Sequence, residues 1–337
     1  MSHARPAALI AMQPEVFALQ FDPHRLGRLE QLVDLLLPGI ADLDDAATAG
    51  VLGRVEVLVT SWGAPALTAD RLDRMPALRA VFHAAGTVRP LTTDAFWHRG
   101  IRITSAADAN AIPVAEFTFA SIVLAGKRAQ FLAREPRAHL GDRGGRFDPG
   151  SSSNLGRRIG IVGFSRIGRR VATLLRQLDE VEVLVADPYA DPDEVARTGA
   201  RLVELDDLLR RVDVLSLHAP ELPATRGMIG ARELALLRDG ATLVNTARGS
   251  LVDTDALAAE CIAGRLDAVL DVTDPEPLPA DSPLLALPNV SLTPHIAGSL
   301  GTETRRMADS AIGELERFTL GLPLEHEVRV EDLGVLA

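Results

Sequence analysis

Three side chains set far apart in this 337-residue chain carry the means for proton transfer beside a bound carboxylic acid. Arg248 follows the apolar stretch Leu243-Val244-Asn245-Thr246-Ala247 and precedes Gly249, so its planar guanidinium could grip a carboxylate through paired hydrogen bonds while polarising the neighbouring carbonyl. His295 lies in Thr293-Pro294-His295-Ile296-Ala297-Gly298 and Glu276 in Asp274-Pro275-Glu276-Pro277, two loops stiffened by proline. A carboxylate that accepts a hydrogen bond from one ring nitrogen favours imidazolium, and it leaves the other nitrogen free to exchange a proton with a substrate oxygen. Taken singly, Glu276 or His295 reads as surface structure; only their pairing makes them chemical.

A second set of residues has the form of a dinucleotide cradle. Arg158 to Phe164 reads as a buried strand that runs into Gly163-Phe164-Ser165-Arg166-Ile167-Gly168 and opens a helix with Ile167, Val171, Leu174, Leu175 and Leu178 on one face. Such a turn lets a pyrophosphate sit against backbone N–H groups at a helix N-terminus, where unpaired donors and the helix dipole both favour negative charge. Gly163 permits the turn and Gly168 the close packing, whereas Ser165 replaces the usual central glycine and sets a β-carbon where the cofactor approaches. Val181 to Ala186 forms a second strand ending in Asp187, nineteen residues after Gly168, where a carboxylate can bind both ribose hydroxyls and favour NAD over NADP. The alternative for Asp187, which precedes Pro188, is a turn-forming acid at a strand end.

The elements behind these residues alternate between strand and helix. Three further strand ends, Leu215-Ser216-Leu217-His218, Leu243 to Arg248 and Val269-Leu270-Asp271, bring polar groups to the edge where open α/β sheets bind ligands. Upstream, the apolar runs Ala8 to Met12, Val55 to Thr60 and Leu78 to Phe82 alternate with helical patterns such as Leu26, Leu29, Leu32, Val33 and Leu36. From Pro113 to about Arg134 a helix is apolar nearly all round, as suits burial in a core or between domains or subunits. Residues 141–154 read as an exposed connection; the alternation then restarts and runs to a strand at Val290 to Thr293, with a last helix over about Thr302 to Phe318.

The whole chain bounds the partners. A length of 337 residues with 47% hydrophobic composition supports two cores, hence two domains. With 35 basic against 46 acidic residues and a net charge of -11, the chain repels a phosphate backbone, so nucleic acid is not an expected partner. Cys261, the single cysteine, sits with Ala258, Ala259 and Ile262 on an apolar helix side and reads as a buried structural thiol. Gln13, Pro14 and Glu15 interrupt the N-terminal apolar stretch, and no apolar run approaches the roughly 18 residues of a membrane span. The expectation is a soluble, cytoplasmic protein with no membrane partner and no metal site.

Together, Gly163 to Gly168, Asp187, Asn245 to Gly249, Asp271 to Pro277 and Thr293 to Gly298 resemble the D-isomer-specific 2-hydroxyacid dehydrogenase family, over nearly the whole chain. The resemblance implies an α/β fold of two Rossmann-like or flavodoxin-like domains, with an NAD-binding domain (116–299) inserted into a substrate-binding domain (1–115 and 300–337). It implies that Arg248 binds and polarises a small 2-keto acid, that His295 is the general acid or base, and that Glu276 is its partner. It assigns the pyrophosphate to Arg166 and Ile167, the adenosine ribose to Asp187, the nicotinamide carboxamide to Asp271, and the lining of the NAD site to His218, Ala219, Pro220, Thr246 and Ala247. Ala85 and Gly86 would meet the substrate carboxylate, and a homodimer would form around the cofactor domains and the segment after Pro113.

This chain also departs from the pattern. Besides Ser165, Ala84 stands for a glycine in the substrate loop, Val88 sits where relatives often carry Asp, and Thr273 replaces a common aromatic. Those changes bear on substrate identity more than on the chemistry. His83 and Ser61-Trp62-Gly63, at or after strand ends, are candidates for shaping specificity, with a structural role the alternative for His83. The competing class is an NAD(H)-sensing binding protein of the corepressor type with little turnover; the intact set Arg248, Glu276 and His295 argues for an enzyme.

Overall fold

The computed structural model describes residues 5–133 and 152–334, which form two compact units. One comprises residues 1–110 and 299–336, the other essentially residues 111–298, so the second is inserted into the first. The boundaries expected from the sequence were 115/116 and 299/300. The units divide at 110/111 and 298/299, the first of these inside the helix Ala107–Gly126, which contributes side chains to the core of the second unit.

The outer unit is built on a six-stranded sheet in the order β13-β5-β4-β3-β1-β2. Its strands are β1 Ala7–Ala11, β2 Asp34–Ile40, β3 Val57–Thr60, β4 Ala80–His83, β5 Arg102–Ser105 and β13 Glu327–Val328, and only β13 runs antiparallel. Leu9, Leu58, Val81 and Ile103 pack on one face, and Ala8, Ile10, Val57 and Phe82 on the other. Burial of both faces explains why these strands read as continuous apolar runs instead of alternating ones.

The inserted unit holds a seven-stranded, wholly parallel sheet in the order β12-β11-β10-β9-β6-β7-β8. Its strands are β6 Arg158–Val162, β7 Glu182–Ala186, β8 Arg201–Leu202, β9 Val214–Leu217, β10 Thr242–Asn245, β11 Asp267–Leu270 and β12 Val290–Leu292. The chain reverses its direction of travel across the sheet between β6 and β9, and a ligand crevice opens at such a switch point, beyond the carboxyl ends of the strands.

Two helical readings require correction. The pattern Leu26 to Leu36 is helical only over Pro23–Leu32; Leu36 belongs to β2, where parallel pairing to β1 outweighs local periodicity. The long apolar helix starts earlier than expected, at Ala107, and ends at Gly126, followed by a short helix Ala129–Leu132. The break is at Arg128, whose backbone is left-handed (φ 51°) and whose guanidinium pairs at 2.5 Å with buried Asp267. Ala107–Gly126 is long and apolar enough to cross a membrane by length and composition alone, contrary to the sequence reading, with half of that window buried in the fold. The connection expected at 141–154 lies outside the described residues up to 151, as does Arg134.

Candidate active site

The glycine-rich turn is shaped by contacts that exclude side chains. Gly163 follows β6 with φ 92°, and a Cβ there would lie 2.5 Å from the Ala219 nitrogen; one on Gly168 would lie 2.1 Å from the Gly163 carbonyl oxygen. Both positions therefore need glycine for close backbone approach. Ser165, by contrast, uses its side chain as the N-cap of the helix Arg166–Leu175, accepting a long, 3.5 Å bond from the Gly168 N–H. The N-terminus of that helix, at Arg166 and Ile167, follows β6 at the β6–β9 switch point, a position suited to a pyrophosphate.

Asp187 follows β7 and accepts from the Phe164 N–H at 2.7 Å and the Tyr189 N–H at 2.8 Å. These bonds tie the acid to the glycine-rich turn, and each oxygen retains a lone pair for a ribose hydroxyl. On the other side of the turn, His218 follows β9, with its ring Nε2 2.9 Å from Ser216 Oγ and its Nδ1 buried without a partner. Burial pushes its pKa down to about 3, so the ring is neutral. Ala219 is buried and Pro220 half-buried beside it.

Beyond β10, Asn245 organises the next loop: its side chain accepts from the Ala247 N–H at 3.0 Å and donates to the Arg248 carbonyl at 2.8 Å. Thr246 Oγ1 meets Thr118 Oγ1 at 2.6 Å, fastening this loop to the helix Ala107–Gly126. Arg248 is held by one Nη1 bond to the Ala247 carbonyl, at 2.6 Å, and remains partly exposed. A Cβ on Gly249 would lie 1.9 Å from the Thr273 carbonyl carbon, so the Arg248 loop and the loop bearing Glu276 are packed backbone to backbone.

Sequence-distant Glu276 and His295 meet in the same unit, with His295 Nδ1 and Glu276 Oε1 2.8 Å apart. His295 adopts φ 53°, and its N–H donates to the Asp271 carbonyl at 2.9 Å. Asp271, buried at the end of β11, accepts from Thr293 Oγ1 at 2.6 Å, the Ile296 N–H at 2.9 Å and the Ala297 N–H at 2.8 Å. One carboxylate therefore fixes the whole turn that presents His295, a positioning role with no signature in the sequence.

In the outer unit, the loop after β4 is pinned by its carbonyls. The Ala84 carbonyl accepts from Gln20 Nε2 and Ser61 Oγ, both at 2.9 Å, the Ala85 carbonyl from the Ala106 N–H at 2.9 Å, and the Gly86 carbonyl from Ser105 Oγ at 2.7 Å. His83 Nδ1 lies 2.9 Å from Thr60 Oγ1, and burial drives the pKa of His83 down to about 4 although a backbone hydrogen bond with Thr87 pulls it upward. With the carbonyls turned inward and bonded, the N–H groups of Ala85, Gly86 and Thr87 are left without a hydrogen-bond partner among the described residues. Consecutive unpaired N–H groups form a nest for an anion.

Two further residues at the site had no sequence signal. Glu221 Oε1 accepts from Ser250 Oγ at 2.7 Å, which leaves Glu221 Oε2 3.9 Å from Arg248 Nε.

A Rossmann-ordered sheet whose carboxyl edge carries a glycine-rich turn at a helix N-terminus, a guanidinium and a carboxylate-supported imidazole defines a nucleotide-binding class of α/β domain. Residues 125–297 match the family described as D-isomer specific 2-hydroxyacid dehydrogenase, NAD binding domain. The chain belongs to that family, and these residues are its NAD-binding domain. It is 34% identical over 258 residues to D-3-phosphoglycerate dehydrogenase of Mycobacterium leprae, covering 76% of this chain and 48% of that one. It is also 34% identical over 250 residues to (S)-sulfolactate dehydrogenase of Chromohalobacter salexigens, covering 74% of this chain and 80% of that one. The chain thus spans about half the length of the phosphoglycerate dehydrogenases it matches. Among solved structures, a phosphoglycerate oxidoreductase from Rhizobium etli superposes with a TM-score of 0.79 at 26% identity, over 97% of this chain and 98% of that one.

Proposed function

We propose that this protein is an NAD-dependent dehydrogenase acting on small D-2-hydroxy acids and their 2-keto counterparts. The observation that carries the reading is the 2.8 Å pair of His295 and Glu276 in the same unit as Arg248 and the dinucleotide cradle. A bound nicotinamide supplies the hydride acceptor in one direction and the donor in the other.

The residues of the chain do the rest. Glu276, accepting at Nδ1, fixes the orientation of the His295 ring, so Nε2 gives a proton to the keto oxygen or takes one from the hydroxyl. Arg248 offers a planar fork to the substrate and stabilises negative charge developing on its oxygen. In the outer unit, Ala85 and Gly86 receive the carboxylate on their N–H groups. Gly163, Ser165, Arg166, Ile167 and Gly168 hold the pyrophosphate; Asp187 binds the ribose; His218, Ala219, Pro220, Thr246 and Ala247 line the site; and Asp271 adds a contact to the carboxamide while holding the His295 turn. A homodimer is part of the proposal, supported by exposed Leu124, Leu132 and Leu155 near the ends of the apolar helix and the strand β6.

The test is to follow loss of reduced-nicotinamide absorbance with a panel of 2-keto acids, using NADH and NADPH in parallel. Turnover with NADH is expected. NADH binding with no turnover of any acid would favour the nucleotide-sensing alternative.

A further inference from the structure

The carboxylate of Glu221 stands beside the guanidinium that receives the substrate, and nothing in the hydride chemistry calls for it. It is not an accidental surface acid: the hydroxyl of Ser250, itself buried, holds one of its oxygens at 2.7 Å and so aims the other at Arg248 Nε, 3.9 Å away. Arg248 has already committed one Nη1 donor to the Ala247 carbonyl. The Arg248–Glu221 pair is therefore near neutral overall, with one face of the fork still open. An acid of charge -1 finds a partner there; an acid carrying a second negative charge meets Glu221 as well.

We infer that this chain selects singly charged 2-keto acids with an uncharged side chain and rejects doubly charged ones, phosphorylated or sulfonated acids among them, and that Glu221 is a residue setting this selectivity. The inference rests on the dehydrogenase reading above. It separates this chain from relatives named for phosphoglycerate and sulfolactate.

The experiment compares kcat/KM for pyruvate and phenylpyruvate with that for phosphohydroxypyruvate and sulfopyruvate, in the parent and in Glu221→Gln. The substitution keeps an acceptor for Ser250, so the fold is retained. The parent should prefer the singly charged acids. Glu221→Gln should raise kcat/KM for the doubly charged acids by about tenfold relative to the singly charged ones, through KM and less so at high salt, as expected for removing one like charge several ångströms away. A parent that prefers the doubly charged acids, or a variant with an unchanged ratio, overturns the inference and leaves the dehydrogenase reading intact. Binding of oxamate and oxalate to the NADH complex, read by nicotinamide fluorescence, decides charge selectivity even without turnover: these two acids differ by one charge at nearly constant shape, so tighter oxamate binding that evens out in Glu221→Gln supports it, and the opposite order overturns it.

Discussion

His295 and Glu276 are both about half exposed, with side-chain accessibilities of 51% and 43%, so their pairing cannot derive its value from stability. Its value is orientation: with Nδ1 engaged, only Nε2 is left to face a substrate. Replacing His295 with Gln keeps a hydrogen-bonding side chain but removes the exchangeable proton, and turnover of keto acids should fall by about 10²-fold or more, the scale of lost general acid–base help. Steady-state rates of the purified variant decide this; an undiminished kcat would remove His295 from the role. Arg248→Lys keeps the charge and loses the fork, and it should raise KM and lower kcat together. A selective effect on KM alone would mean that the guanidinium contributes binding but no stabilisation of the reacting oxygen. Asp187→Ala removes the group assigned to the ribose hydroxyls, so the ratio of kcat/KM with NADH to that with NADPH should drop toward one; a ratio unmoved by the change would argue that the acid serves only the Phe164 and Tyr189 amides.

At the scale of elements, the loops that bring these groups together depend on close backbone contacts. Gly249→Ala would drive a Cβ to within 1.9 Å of the Thr273 carbonyl carbon, where no flexible side chain can give way. The Glu276 loop must shift, so the His295–Glu276 bond should lengthen and activity fall by at least tenfold, with a destabilisation of about 1–3 kcal/mol typical of overpacking. Thermal melting and rates on the same sample check it. The need for glycine at 163 and 168, and the strand ends bearing Asp187, His218, Arg248 and Asp271, could be read from sequence because a strand running into a polar turn has a local signature. The convergence of Glu276 on His295 could be guessed only from their chemistry. Other features left no local trace. β2 looked helical because its strand character comes from β1, and the break at Arg128 depends on Asp267, 139 residues away. Glu221 read as an ordinary loop acid because its meaning lies in Ser250 and Arg248, brought near only by the parallel sheet.

At the scale of the whole molecule, each of the two units buries one neutral histidine among the described residues, His83 in the outer and His218 in the inserted unit, with pKa values lowered from 6.5 to about 4 and about 3, mainly by burial. In the unfolded chain both rings titrate near 6.5, so below that pH the unfolded state binds protons that the folded state refuses. Stability is then complete above about 6.5 and declines as pH falls toward the folded-state values, the sign expected when unfolding takes up protons. From 6.5 to about pH 5 each ring should cost about 2 kcal/mol, a range in which exposed carboxylates are still largely ionised and add little. Urea midpoints across this interval should fall steadily. His218→Asn, which keeps a partner for Ser216, should remove about half of the slope by eliminating the titrating ring of the inserted unit. A midpoint that stays level down to pH 5 in the parent would mean that both rings take up protons without unfolding, and the tight packing of His83 behind the Ala85–Thr87 nest and of His218 beside Gly163 could not then be what keeps them neutral.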